Sequence, residues 1–191
     1  MGLVQRLKEK QESALSELMQ LYGDYLLRTA VLLLKDRQAA EEAVQDAFIT
    51  AYEKINQLED DDKVKSWMTA ILVNRCRAQM RKRNWKHVFL SFDLVERFRE
   101  DDLHRGPEES LLLLAENQHL SSAIQELNYK YREAIILFYF NEMKISEISE
   151  QLNVNENTVK ARLSRGRSLL KEILMRGGDE SGEGKIKKTA R

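Results

Sequence analysis

The sequence predicts an all-α protein of two small helical domains joined by a flexible linker, the second domain containing a helix-turn-helix. Three observations lead there. One proline and eight glycines in 191 residues leave too little turn chemistry for many short strands and hairpins. A charged share of 32%, rich in Glu, Lys and Arg alongside Leu and Ala, favours helices. Apolar residues recur at three- and four-residue steps on both sides of a central stretch, about residues 86–110, where the period is lost. A hydrophobic share of 42% suffices for packed cores and excludes a disordered chain. The apolar runs Ala30–Leu34 and Ala134–Phe140 fall far short of the roughly 20 residues of a membrane helix. Met1–Glu12 lacks the apolar core of a signal peptide, and one cysteine cannot form an internal disulfide. The expectation is a cytoplasmic protein without membrane insertion.

Leu15, Leu18, Met19, Tyr22, Leu26, Ala30 and Leu33 mark a long amphipathic helix over Ser13–Leu34, weakened slightly by Gly23. Lys35-Asp36-Arg37 breaks it, with Asp36 as N-cap of a second helix reaching about Leu58 on Ala40, Ala43, Val44, Ala47, Phe48, Ala51 and Ile55. After the acidic loop 56–62, a third helix over Val64–Arg83 carries Trp67, Ile71 and Leu72, with arginines toward its C-terminus, where they suit the helix dipole. Beyond the linker, Leu111–Leu127 and Lys130–Phe140 read as two further helices. Ile145, Ile148, Leu152, Val154, Val159 and Leu163 then give two short amphipathic pieces broken at Asn153, the spacing of a helix-turn-helix. Asn153 suits a left-handed end to the first piece, Val154 plugs the angle, Asn155 caps the second, and small Ser149 permits close approach. The stretch after Gly177 has no apolar period and is expected to be disordered. The domain reading is therefore 1–85, linker 86–110, 111–176, and tail 177–191.

The 31 basic and 31 acidic residues cancel, but only on average. Between Lys63 and His87 stand Lys63, Lys65, Arg75, Arg77, Arg81, Lys82, Arg83 and Lys86 with no acid. Residues 88–120 hold 8 acids against 3 bases, and Thr158–Arg176 reverses to 6 bases against one Glu. Two cationic segments on a helical protein point to two contacts with a polyanion, nucleic acid first; solvated helix faces are the plainer reading.

In the second helix of the helix-turn-helix, Val159 and Leu163 face the core, so Lys160, Ser164 and Arg167 share an outward face with Ala161 and Arg165 beside it. Arg and Lys there can read base edges, while Thr158 and the helix start offer phosphate contacts. Trp67 ahead of Arg75, Arg77, Arg81, Lys82 and Arg83 makes an aromatic-plus-basic set able to stack an unpaired base, unless the Trp is simply core. Opposite the buried stripe of the second helix, Glu42, Gln45, Asp46, Ile49 and Glu53 form an acidic face with one apolar residue, suited to a basic partner or to plain solvation. Catalysis, cofactors and metals find no support. His87, His104 and His119 are scattered, and no phosphate loop or metal-ligand spacing is present. Cys76 among arginines leaves a reactive thiol open beside the inert reading.

Together Ala40–Ile55, Ser66–Arg83 and Arg132–Leu174 resemble the two conserved domains of extracytoplasmic-function (ECF) RNA polymerase sigma factors, in the right order with a linker between. The resemblance implies a non-catalytic subunit that binds core RNA polymerase and directs it to promoter DNA, usually partnered by an anti-sigma factor. Carried over by position, Glu42, Gln45, Asp46 and Phe48 match the motif that docks on polymerase. Trp67, Asn74, Arg75 and the loop Asn56–Lys65 match the region that opens and reads the minus-ten element; Arg77, Arg81, Lys82 and Arg83 extend that surface. Thr158, Lys160, Ala161, Ser164, Arg165 and Arg167 match the helix that reads the minus-thirty-five element. Lys144 at the usual Ser/Thr cap, Asn128 for proline, Phe138 for arginine and Gly166 for alanine depart from the pattern. The rival reading is a helix-turn-helix regulator that does not bind polymerase.

Overall fold

The computed structural model describes residues 2–89 and 119–182. Most of the expected linker, with Pro107 and the acids Asp93, Glu96, Glu100, Asp101 and Asp102, lies outside the described residues, as do 111–118 and 183–191. The chain divides into two units, Met1–Asp93 with Tyr139–Met143, and Leu94–Phe138 with Lys144–Arg191. All regular structure among the described residues is helical.

The first unit contains α1 (Leu3–Lys8), α2 (Glu12–Leu34), α3 (Arg37–Lys54), two 3-10 turns (Ile55–Gln57 and Asp61–Lys63) and α4 (Val64–Phe89). α2 ends at Lys35, which takes a left-handed conformation (φ 61°). Asp36 then caps α3 by accepting from the Ala39 amide at 2.9 Å, the expected break. Ala40, Ala43, Ala47 and Ala51 are fully buried along one side of α3. Such small side chains let α3 pack against both α2 and α4. Leu18, Leu26, Leu33, Met68, Leu72 and Val73 fill the surrounding interior. Helix α4 continues to Phe89, into the stretch expected to be linker. Helix α1, too short for an apolar period to register, buries Val4 and Leu7.

In the second unit the first helix among the described residues spans 119–126, here α5. Asn128 caps α6 (Tyr129–Ile135) by accepting from the Lys130 amide, the role a proline-start helix would not need. The apolar run then widens into a π-helical turn, Ile136–Phe140, where an uninterrupted helix was expected. Arg132 is only 2% exposed, and its Nη1 donates to the carbonyls of Gln125 and Leu127 at 3.1 and 3.0 Å. The guanidinium therefore closes the C-terminal end of α5. Burial holds its pKa below the ordinary arginine value, against the opposing influence of Tyr129 and Glu133.

Helices α7 (Ile145–Leu152) and α8 (Glu156–Gly182) form the helix-turn-helix. Asn153 is left-handed (φ 51°, ψ 52°), as its side chain allows. The Asn155 carboxamide oxygen accepts from the Thr158 amide at 2.7 Å. Ser149 does more than permit close approach: its hydroxyl donates to the Val154 carbonyl at 2.6 Å and fastens the turn. At Lys144 an ammonium cannot accept a bond, so only half a capping box forms, the Lys144 amide donating to Glu147 Oε2 at 2.7 Å. α8 runs past Gly177, so residues 177–182 are helical where a disordered tail was expected. No helix of the described residues is long and apolar enough to cross a membrane.

Candidate functional site

Helix α3 presents Glu42, Gln45, Asp46, Ile49 and Glu53 to solvent at i, i+3, i+4, i+7 and i+11, with Ile49 57% exposed. Phe48 lies where its apolar stripe predicts, behind the face that the resemblance assigns to polymerase. It is 5% exposed and packs into the core, because the residue before Ile49 falls about 100° away on the helix, on the side of Val44 and Ala51. It supports the acidic face from behind.

Beside that face lies a groove of about 510 Å³, walled by Asp36, Glu42, Gln45 and Asp46 of the α3 side and by Arg75, Gln79 and Lys82 of α4. Arg75 Nη2 donates to Thr50 Oγ1 at 2.6 Å, and that hydroxyl donates to the Asp46 carbonyl at 2.7 Å. The set assembled from sequence along α4 is therefore split. Trp67, Asn74 and Arg81 recur at seven-residue spacing, two helical turns each, with Arg77 one turn before Arg81. Arg75 and Lys82, themselves seven apart, turn toward the α3 groove instead. Trp67 is half-buried, whereas Asn74 and Arg81 are exposed. The side chain of Arg83 lies outside the described residues.

In α8, Val159 and Leu163 are buried as the period requires, leaving Lys160, Ala161, Ser164, Arg165 and Arg167 exposed. Thr158 is half-buried, and its amide and hydroxyl both donate to Asn155 Oδ1. Those donors are engaged in the cap, which limits the phosphate contacts expected of them. Lys160 Nζ stands 3.6 Å from the Glu156 carboxylate, a partner the sequence reading did not name. Cys76 is fully buried among the α4 core residues, which removes the open reading of a reactive thiol. No group of three His, Cys, Asp or Glu residues placed to hold a metal occurs among the described residues.

A helical unit with an acidic face and a basic helix, followed on the same chain by a helix-turn-helix with a cationic outer face, defines a protein of the sigma-70 class. Residues 18–86 match Sigma-70 region 2 and residues 118–170 match Sigma-70 region 4. The chain is 30% identical over 163 residues to the ECF RNA polymerase sigma factor SigM of Bacillus subtilis, covering 85% of this chain and 96% of that protein. It is 26% identical over 178 residues to SigW of the same organism, covering 90% and 94%. Its fold is similar to that of the sigma factor RpoE of Bartonella quintana, solved in complex with the anti-sigma factor NepR, with a TM-score of 0.67 and 26% identity over 84% of this chain and 96% of that one. The chain belongs to the extracytoplasmic-function family of RNA polymerase sigma factors. The match over residues 18–86 favours that reading over a regulator without polymerase binding.

Proposed function

We propose that this sigma factor acts in the cytoplasm as a non-catalytic initiation subunit with its tasks divided along the chain. Residues 1–85 bind core RNA polymerase and the minus-ten element, and residues 111–176 bind the minus-thirty-five element. Residues 86–110 connect them. The observation that carries the division is the exposure of two chemically opposite surfaces, Glu42, Gln45, Asp46 and Ile49 on α3 and Lys160, Ser164, Arg165 and Arg167 on α8. A clustered acidic face suits a basic protein partner, and a cationic helix behind a tight turn suits the major groove. On α4, Trp67, Asn74, Arg77 and Arg81, with the loop Asn56–Lys65, take the minus-ten role. Arg75 and Lys82 are better placed to shape the polymerase-facing groove, given the Arg75–Thr50 bond. An anti-sigma factor is the expected regulator, as RpoE of Bartonella quintana has in its complex with NepR.

Transcription reconstituted from core RNA polymerase, the full chain and a library of genome fragments tests this assignment. The expected result is initiation from a small set of fragments sharing two spaced elements. Transcripts that arise equally with and without the chain overturn it.

A further inference from the structure

The N-terminal helix α1 precedes the segment that matches Sigma-70 region 2. Six residues are too few to hold a helix by themselves, so its place depends on what it grips. Val4 and Leu7 supply the buried contacts. Arg6 pairs with Glu17 of α2 at 2.5 Å. The remaining ties all go to one region, the end of α3 and the turns after it. Lys8 Nζ donates to the Leu58 carbonyl at 2.9 Å. Lys10 Nζ donates to the Tyr52 carbonyl and stands 4.1 Å over the centroid of the Tyr52 ring, while the Tyr52 hydroxyl donates back to the Lys10 carbonyl at 3.2 Å. Lys10 itself is left-handed (φ 60°), an uncommon conformation for lysine, and the chain reverses there to place these groups.

Leu58 is buried between exposed Asn56, Gln57, Glu59 and Asp60. Its carbonyl lies between the turns Ile55–Gln57 and Asp61–Lys63, where four consecutive acids, Glu59–Asp62, repel one another. Lys63 already meets the acidic stretch through Asp60 at 3.5 Å, and the Lys8 bond ties the backbone between the two turns to α1.

We infer that α1 is a strap and that Lys8, helped by Lys10, is a positioning residue for minus-ten selection, setting the loop Asn56–Lys65 without touching DNA itself. The inference rests on the minus-ten role proposed above for that loop. The test uses holoenzyme of core RNA polymerase and the full chain, with a library of single-stranded oligonucleotides bearing a randomised window as the probe. For Lys8→Met, enrichment of the preferred sequence over the scrambled one falls by about tenfold, as loss of a charge-assisted bond implies. Affinity for core enzyme and helical circular dichroism stay unchanged. Lys8→Arg, which keeps a cationic donor, restores most of the enrichment, and Lys10→Met shifts it in the same direction as Lys8→Met. The double variant Asn56→Ala/Gln57→Ala on the exposed loop is the control. If it alters selection while Lys8→Met and Lys10→Met leave it unchanged, the strap inference is overturned and the loop reading stands. If it too leaves selection unchanged, the loop reading fails and the strap with it. An equal loss of core affinity and of oligonucleotide binding in Lys8→Met marks general destabilisation and also overturns the positioning role.

Discussion

At Gly166 a methyl group would stand 3.0 Å from Ile135 Cγ1 and 3.3 Å from its Cδ1, with Tyr131 Cβ at 3.5 Å. Inside a helix glycine costs about 1 kcal/mol relative to alanine. Its neighbours give it a purpose, since it lets α8 lie close on α6. Gly166→Ala should therefore fail to gain that ~1 kcal/mol, and Gly166→Val should destabilise by roughly 1–3 kcal/mol through overpacking; urea unfolding monitored by circular dichroism measures both. On α3, Asp46→Arg should abolish competition for core RNA polymerase while helical circular dichroism is unchanged, because Asp46 is exposed and no packing is lost. Phe48→Ala should behave in the opposite way, lowering stability by about 3–5 kcal/mol because Phe48 is core. On α8, Lys160→Ala and Arg165→Ala should each weaken binding at one base position of the upstream element by roughly 1–3 kcal/mol, read by quantitative binding to single-base operator variants. Equal losses on every sequence would refute the base-reading role.

The helix-turn-helix was legible in the sequence because its determinants are local: Asn153, Asn155 and the apolar spacing around them are adjacent in the chain, and the structure uses each as expected. Asn155→Ala should cost about 1 kcal/mol of stability, the ordinary worth of an N-cap, seen as a lower urea midpoint. The elements that escaped are those whose cause is distant. Helix α1 offers two buried residues in six, too few for a period to register, and its partners lie some forty to fifty residues away at Tyr52 and Leu58. Arg75 reads as one of a run of arginines until Thr50, on another helix, claims it. The π-turn at Ile136–Phe140 inserts one residue into a turn, which leaves an unbroken apolar run looking like plain helix. Helix α8 continues through Gly177-Gly178, a pair that weakens a helix without forbidding one.

For the chain as a whole, zero net charge hides a sequence of alternating blocks, and the acidic one between the two DNA-directed segments admits a direct trial. Converting Asp93, Glu96, Glu100, Asp101 and Asp102 to Asn or Gln should change the ratio of abortive to full-length RNA and leave promoter choice intact, if that block mimics a polyanion in a cationic channel. An unchanged ratio with normal polymerase binding would mark it as a plain solvated connector. The zero balance also bears on how salt governs DNA binding. A lysine that enters the groove, even to read a base edge, lies among the phosphates and displaces condensed cations, and a full phosphate contact steepens the salt dependence by about 0.9 in the logarithmic slope. Lys160 already has Glu156 as an exposed neighbour at 3.6 Å, a weak and readily exchanged pairing. When Lys160 turns to DNA, Glu156 loses its partner and its negative charge is left near the phosphates, a repulsion that opposes binding at low salt and is itself screened as salt rises. The helix in effect carries its own buffer against ionic strength. Glu156→Gln should tighten binding at low salt and steepen its loss as salt rises.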